Sequence, residues 1–221
     1  RHHGRGAPEL QSIDAGGFDL RAMLEKRNSI RQENQGDGHP ACRDCPHLLW
    51  AEWKSPEYPI HWLGITHYIA CNLSCNYCWL SWAKWSPRNS AHHKPVARYE
   101  LTPIIEQMDA ANMFSPQTIV DWGGGGEPTL MPEFNWGFRL FNSKSFIQWL
   151  HTNAVRMPDS IMDMTESLPK LNLLTSVDAG TSATYKLIKN SNAFEKVWSN
   201  LEGYKQRGAS VTLKYLVTEE N

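Results

Sequence analysis

The chain has 221 residues, a formal net charge of −1, 41% apolar residues and 20% charged residues. That length suits one domain of moderate size with appendages, and the near-neutral charge excludes a general electrostatic attraction to nucleic acid or an anionic membrane. No run of about 18 apolar residues marks a transmembrane helix, and the opening RHHGRGAPEL lacks the apolar core of a secretory signal.

The sequence begins without Met and stops at VTLKYLVTEEN, a strand running into a loop, so a piece of a longer chain is expected. Ten tryptophans predict heavy use of indole in the core. The cysteines are five, two at Cys42 and Cys45 and three at Cys71, Cys75 and Cys78. Without an export signal these thiols are expected in a reducing, cytoplasmic setting, where clustered cysteines bind metal more often than they pair.

Residues 1–60 are read as an N-terminal extension. They hold one helical stretch, Phe18 to Gln32, with Leu20, Met23, Leu24 and Arg27 near one face, closed by the breaker run NQGDGHP. HPACRDCPH follows, and His39, Cys42, Cys45 and His47 form H-x2-C-x2-C-x-H. CRDC is half of a metal site. A local zinc ion, two ligands for an auxiliary iron–sulfur cluster, and a pair of reduced thiols all remain open. KSPEYP, with two prolines, is a linker.

From residue 61 the rhythm changes. IHWLGITHYIA is apolar and β-branched, which suits a buried strand. A helix is expected over the tryptophan run, where Trp79, Trp82 and Trp85 recur every three residues and shield the core or a cofactor; His92, His93 and Lys94 read as a solvated loop. Strands are then expected at TIVDWG, SFIQWLHTN, LNLLTSVDAG and SVTLKYLVT. Between them MPEFNWGFRLFN and PDSIMDMTESLPK each read as a helix, and TSATYKLIKNSNAFEKVWSNLEGYKQRG as one or two. Strand and helix in alternation imply an α/β fold with a parallel sheet and right-handed crossovers. The carboxyl ends of such strands carry the site, so the cysteines, the glycines of GGGGE, His151 to Asn153 and Ser176 to Asp178 should share one rim.

Cys71, Cys75 and Cys78 supply three thiolates in one short loop. A structural zinc site wants four ligands; His67 is the one fourth ligand nearby, and it falls within the first strand. Thiolates also suit an iron–sulfur cube, and three of them leave one iron open to a substrate or cofactor.

CNLSCNYC resembles the CxxxCxxC motif of the radical SAM enzyme superfamily, including the aromatic residue before the last cysteine. GGGGEPTL, HTNA and SVDAG follow at strand ends in that family's order, and the resemblance covers about residues 60 to 221. It implies an open, partial (βα) barrel over residues 61–221, incomplete at its C-terminal side. It implies a 4Fe–4S cluster on Cys71, Cys75 and Cys78, with S-adenosyl-L-methionine bound at the open iron. One electron from a low-potential donor then cleaves the sulfonium, and the deoxyadenosyl radical abstracts hydrogen from a substrate.

Carried over by position, Tyr77 lies near the adenine. Gly125, Gly126 and Glu127 meet the methionine amino group, glycine letting backbone approach and the carboxylate favouring an ammonium. Thr152 and Asn153 line the same pocket, and Ser176 and Asp178 contact ribose or the methionine carboxylate; Lys214 is a further candidate. The auxiliary clusters of family members that modify peptides and proteins make a peptide or protein side chain the expected substrate, with a small metabolite or a glycan as alternatives. The rival reading is a non-catalytic iron–sulfur or zinc-binding scaffold.

Overall fold

The computed structural model describes residues 17–36, 38, 59–66, 68–78, 100–123, 126–165, 167–219 and 221. Cys42, Cys45, His39, His47, His67, Gly125, the tryptophans at 79, 82 and 85, and the 92–94 loop lie outside these residues. The chain divides into two compact units, one of residues 1–59 and 98–114, the other of residues 60–97 and 115–221. The expected boundary after residue 60 lies one residue from this division, and residues 98–114 fall in the first unit rather than with 61–221.

In the first unit, helices α1 (Leu20–Gln35) and α2 (Leu101–Ala110) are joined by one glutamine. Gln107 Oε1 accepts from the Leu20 N–H at 3.3 Å, and its Nε2 donates to the Phe18 carbonyl at 3.1 Å. Asp19 completes the start of α1 by accepting from the Ala22 N–H at 3.1 Å. Sequence reading missed α2, whose Pro103 looks like a breaker; it stands in the first turn, where no intrahelical N–H is required.

The second unit is built on a five-stranded sheet in the order β1 (Ile60–Ile65), β2 (Phe114–Trp122), β3 (Ile147–His151), β4 (Leu171–Ser176), β5 (Ser210–Lys214). The β2–β3, β3–β4 and β4–β5 pairs are parallel. Helices connect them: α3 (Phe134–Ser143), α4 (Asp159–Met162), α5 (Ser182–Lys189) and α6 (Phe194–Gln206). The architecture is the expected α/β one. α4 is a single turn rather than the long helix expected from PDSIMDMTESLPK, and α5 and α6 are separate because Asn190 takes a left-handed conformation at φ 53°.

Strand alternation separates two faces. Gln148 and Leu150 of β3 are buried, and Trp149 and His151 point the other way. The buried face meets α3, whose Phe134, Phe138 and Phe141 recur at helical spacing and are at most 1% exposed. Trp122 of β2 wedges among them, 4.8 Å from the Phe134 ring and 5.8 Å from that of Phe141. Its indole N–H donates to Gln148 Oε1 at 2.9 Å, and Gln148 Nε2 reaches the Phe138 carbonyl. Each buried aromatic contributes about 1.5–3 kcal/mol, and the glutamine removes the cost of an unpaired indole N–H. The core role expected of tryptophan holds for Trp122; Trp62, Trp149 and Trp198 stay exposed.

Candidate active site

The three cysteines follow β1 on an irregular loop over residues 68–78. All three are free thiols, half-buried, and all three line one pocket of about 220 Å³ at the carboxyl ends of the strands. The opposite walls include Gly126 and Glu127 after β2, Thr152 and Asn153 after β3, Ser176 on β4 and Lys214 on β5. Sequence order thus becomes spatial convergence, because parallel strands present their following loops on one rim. Ser176 and Lys214 are partners across the β4–β5 register.

Glu127 organises the far wall. It is 1% exposed. Its Oε1 accepts from the Thr129 N–H at 3.2 Å and from the Thr129 and Thr152 hydroxyls at 2.7 Å each. Its Oε2 accepts from the Asn153 N–H at 2.7 Å. Burial pushes its carboxyl above the ordinary value, against these donors. Asn153 in turn donates its amide to Asn72 Oδ1 at 2.7 Å and to Cys71 Sγ at 3.7 Å, so the loops after β1, β2 and β3 are tied together.

Gly126 shows why glycine stands before this glutamate. A Cβ there would lie 2.4 Å from the Ala70 carbonyl oxygen, and the next residue's N–H donates to that same oxygen at 2.7 Å. Glycine here lets the β2 loop seat directly against the residue before Cys71.

Asp178 departs most from its expected place. Its side chain is fully buried, at positive φ of 56°, a conformation Asp tolerates better than most residues. Oδ2 accepts from the Tyr77 hydroxyl at 2.6 Å and from Lys189 Nζ at 2.5 Å; Oδ1 accepts from the Leu216 N–H at 2.7 Å. Burial pushes its carboxyl up, but the bonds from Lys189, Tyr77 and Leu216 outweigh it and hold it below the ordinary range. Tyr77 and Lys189 line the pocket, and Asp178 stands behind them.

Lys189 escaped sequence reading. It is 3% exposed, on the same helical face as the buried Tyr185 and Ile188, four and one residues before it. A cation on the apolar face of a short helix was the available signal. His151, at the end of β3, lines the same pocket. Its Nε2 lies 3.2 Å from Asp121 Oδ1, an ion-pair distance without an aligned hydrogen bond.

The donor set suits a cluster. Three free thiols from one short loop line one pocket. Soft thiolates spread around a space match an iron–sulfur cage better than one zinc ion. Burial pushes the Cys71 thiol up to about 11, and raises that of Cys75; metal binding supplies the free energy that deprotonates such thiols.

Residues 65–221 match the family model described as the radical SAM superfamily. Mycofactocin maturase MftC of Mycobacterium tuberculosis is 23% identical over 154 residues, 69% of this chain and 36% of its own length. The crystal structure of Streptococcus suis SuiB bound to precursor peptide SuiA superposes with a TM-score of 0.53 at 13% identity, covering 95% of this chain and 42% of that one. The same enzyme bound to S-adenosylmethionine gives 0.54 at 12% identity, covering 94% and 42%. At these identities the structural likeness is one of fold, and this chain spans well under half the length of either relative. The family model covers most of the chain, and the chain belongs to the radical SAM superfamily, enzymes that use a 4Fe–4S cluster and S-adenosylmethionine.

Proposed function

We propose that the chain carries the catalytic core of a radical SAM enzyme that modifies a peptide or protein side chain. The observation that carries this reading is the convergence of three free thiols with the buried Glu127–Thr152–Asn153 network on one pocket. When bound, the cluster and S-adenosylmethionine supply one-electron cleavage of the sulfonium and a radical that abstracts hydrogen from substrate.

Cys71, Cys75 and Cys78 hold the cluster. Thr129, Thr152 and the Asn153 N–H fix Glu127 so that Oε2, with a single hydrogen bond, receives the methionine ammonium. Gly126 and Gly125 let backbone approach that group. Tyr77 faces the adenine, and Ser176 and Lys214 take the hydroxyl and carboxylate groups at the other end of the pocket. Asp178 acts through Tyr77 and Lys189. A low-potential protein donor supplies the electron, which suits a cytoplasmic setting. Cys42 and Cys45 hold a second metal site in the N-terminal part. Peptide substrate is supported by a curated relative named as a maturase and a fold relative solved with a precursor peptide.

The test is anaerobic reconstitution with iron and sulfide, followed by dithionite and S-adenosylmethionine. Release of 5′-deoxyadenosine and methionine by the parent, and not by Cys75→Ala, supports the enzyme. A fully loaded parent that releases neither favours the non-catalytic scaffold. Deuterated peptides encoded beside the gene then test the substrate class: deuterium appearing in deoxyadenosine supports a peptide, and its transfer only from small metabolites or glycans overturns it.

A further inference from the structure

The last residues of α5 grip the cysteine loop at three successive points. The Ile188 carbonyl accepts from the Asn76 N–H at 2.9 Å. Lys189 Nζ donates to the Tyr77 hydroxyl at 2.6 Å, and its ammonium lies 5.1 Å from the centroid of the Tyr77 ring. Asn190 Nδ2 donates to Ser74 Oγ at 2.9 Å. Residues 188, 189 and 190 thus bind residues 76, 77 and 74, the half of the loop that carries Cys75 and leads to Cys78. Asn190 at positive φ ends the helix where this grip is made.

The grip is anchored behind. Lys189 pairs with the fully buried Asp178, and Asp178 is held by the Leu216 N–H, with Asn221 Nδ2 donating to its carbonyl at 2.8 Å. Burying a lysine and an aspartate costs several kcal/mol each before pairing. Two apolar residues would pack there without that cost. The chain instead keeps a cation in the wall of the cysteine pocket.

We propose that the C-terminal end of α5 is a clamp on the cysteine loop, with Lys189 as a positioning residue that holds Tyr77 and the Cys75–Cys78 segment ready for the cluster and sets a positive charge in the cluster's wall. The proposal rests on the radical SAM reading given above. Two physical effects follow. A preorganised loop lowers the ordering entropy that metal capture must overcome. A buried cation beside the cluster favours its more negative, reduced form, because charge and burial tune cluster potential.

The test uses the whole chain, with Lys189→Met, Lys189→Arg and Tyr77→Phe beside the parent. In metal-free protein, hydrogen exchange at residues 74–78 should be at least tenfold faster in Lys189→Met and Tyr77→Phe. In loaded protein, the cluster potential followed by electron paramagnetic resonance should shift negative in Lys189→Met. It should return toward the parent in Lys189→Arg and stay near the parent in Tyr77→Phe, which keeps the cation. Parent-like exchange and potential in Lys189→Met overturn the proposal. If Lys189→Met does not fold, Tyr77→Phe decides: unchanged exchange at residues 74–78 overturns it. A loaded parent that fails to cleave S-adenosylmethionine overturns the proposed function, while exchange and potential still decide the clamp.

Discussion

Gly126 lies so close to Ala70 that the two backbones leave no room for a methyl group: a Cβ on Gly126 would be 2.4 Å from the Ala70 oxygen and 2.6 Å from the Ile69 carbonyl carbon. The obstructing atoms are backbone, so no rotamer change relieves the contact. Gly126→Ala must push the β2 loop away from the residue before Cys71 and weaken the Glu127 N–H to Ala70 bond of 2.7 Å. We expect a loss of about 2–3 kcal/mol, read by chemical denaturation of metal-free protein. Iron bound per folded chain should fall in the same variant. A stable variant with the parent's iron content would contradict this account of the glycine.

Glu127→Gln separates the acceptor role of that side chain from its volume. Whichever way the amide turns, its NH2 group meets a backbone donor, the Thr129 N–H on one side or the Asn153 N–H on the other. The threonine hydroxyls can rotate to accept, but the backbone groups cannot. One buried donor is left unpaired, at a cost of about 1–3 kcal/mol. Thermal unfolding of metal-free protein should show the loss. S-adenosylmethionine binding to loaded protein should weaken further than the stability change explains, because Oε2 is the proposed ammonium acceptor.

The sheet and the rim were legible from sequence because both depend on short-range pattern. Short apolar runs at 60–65 and 171–176 mark strands, and the polar residues that follow them fall at one end of a parallel sheet. What the pattern hid is where side chains are spent. Asp178 reads as a ligand-facing carboxylate, yet three donors from distant segments consume it. Thr152 reads as pocket lining, yet its hydroxyl supports Glu127. Such allotments depend on contacts across 11 to 101 residues of sequence, which no local period encodes. α4 fell short of the expected helix: its one turn buries Ser160 and Ile161, and Leu168, buried at 1% exposure, comes after the helix has ended.

Gly137 offers a control away from the pocket. Its Cβ would stand 2.8 Å from Trp122 Cη2. Alanine gains about 1 kcal/mol of helix propensity over glycine, so the sign depends on whether the indole can give. Trp122 is 0% exposed and hemmed by Phe134 and Phe141, so overpacking at about 1–3 kcal/mol should win. Gly137→Ala should therefore unfold more easily, and Trp122→Phe should relieve part of that loss in a double-mutant cycle. Iron content per folded chain should match the parent, which distinguishes core strain here from the loop displacement expected at Gly126.

Asp178 gives the acid limb of stability a specific origin. Its carboxyl is held below the ordinary aspartate range in the folded chain, so the unfolded state binds the proton more readily. The Lys189 and Tyr77 bonds therefore stabilise fully above the unfolded value and are lost as pH falls through the folded one. Asp178→Asn removes this dependence and leaves Lys189 without its anion, a change that costs about 3–5 kcal/mol when one partner of a buried pair is removed. The stability difference between parent and Asp178→Asn, measured on metal-free protein, should be flat above about pH 5 and should shrink below about pH 4. A difference that stays constant down to the acid transition would show that the buried pair is not what acid disrupts.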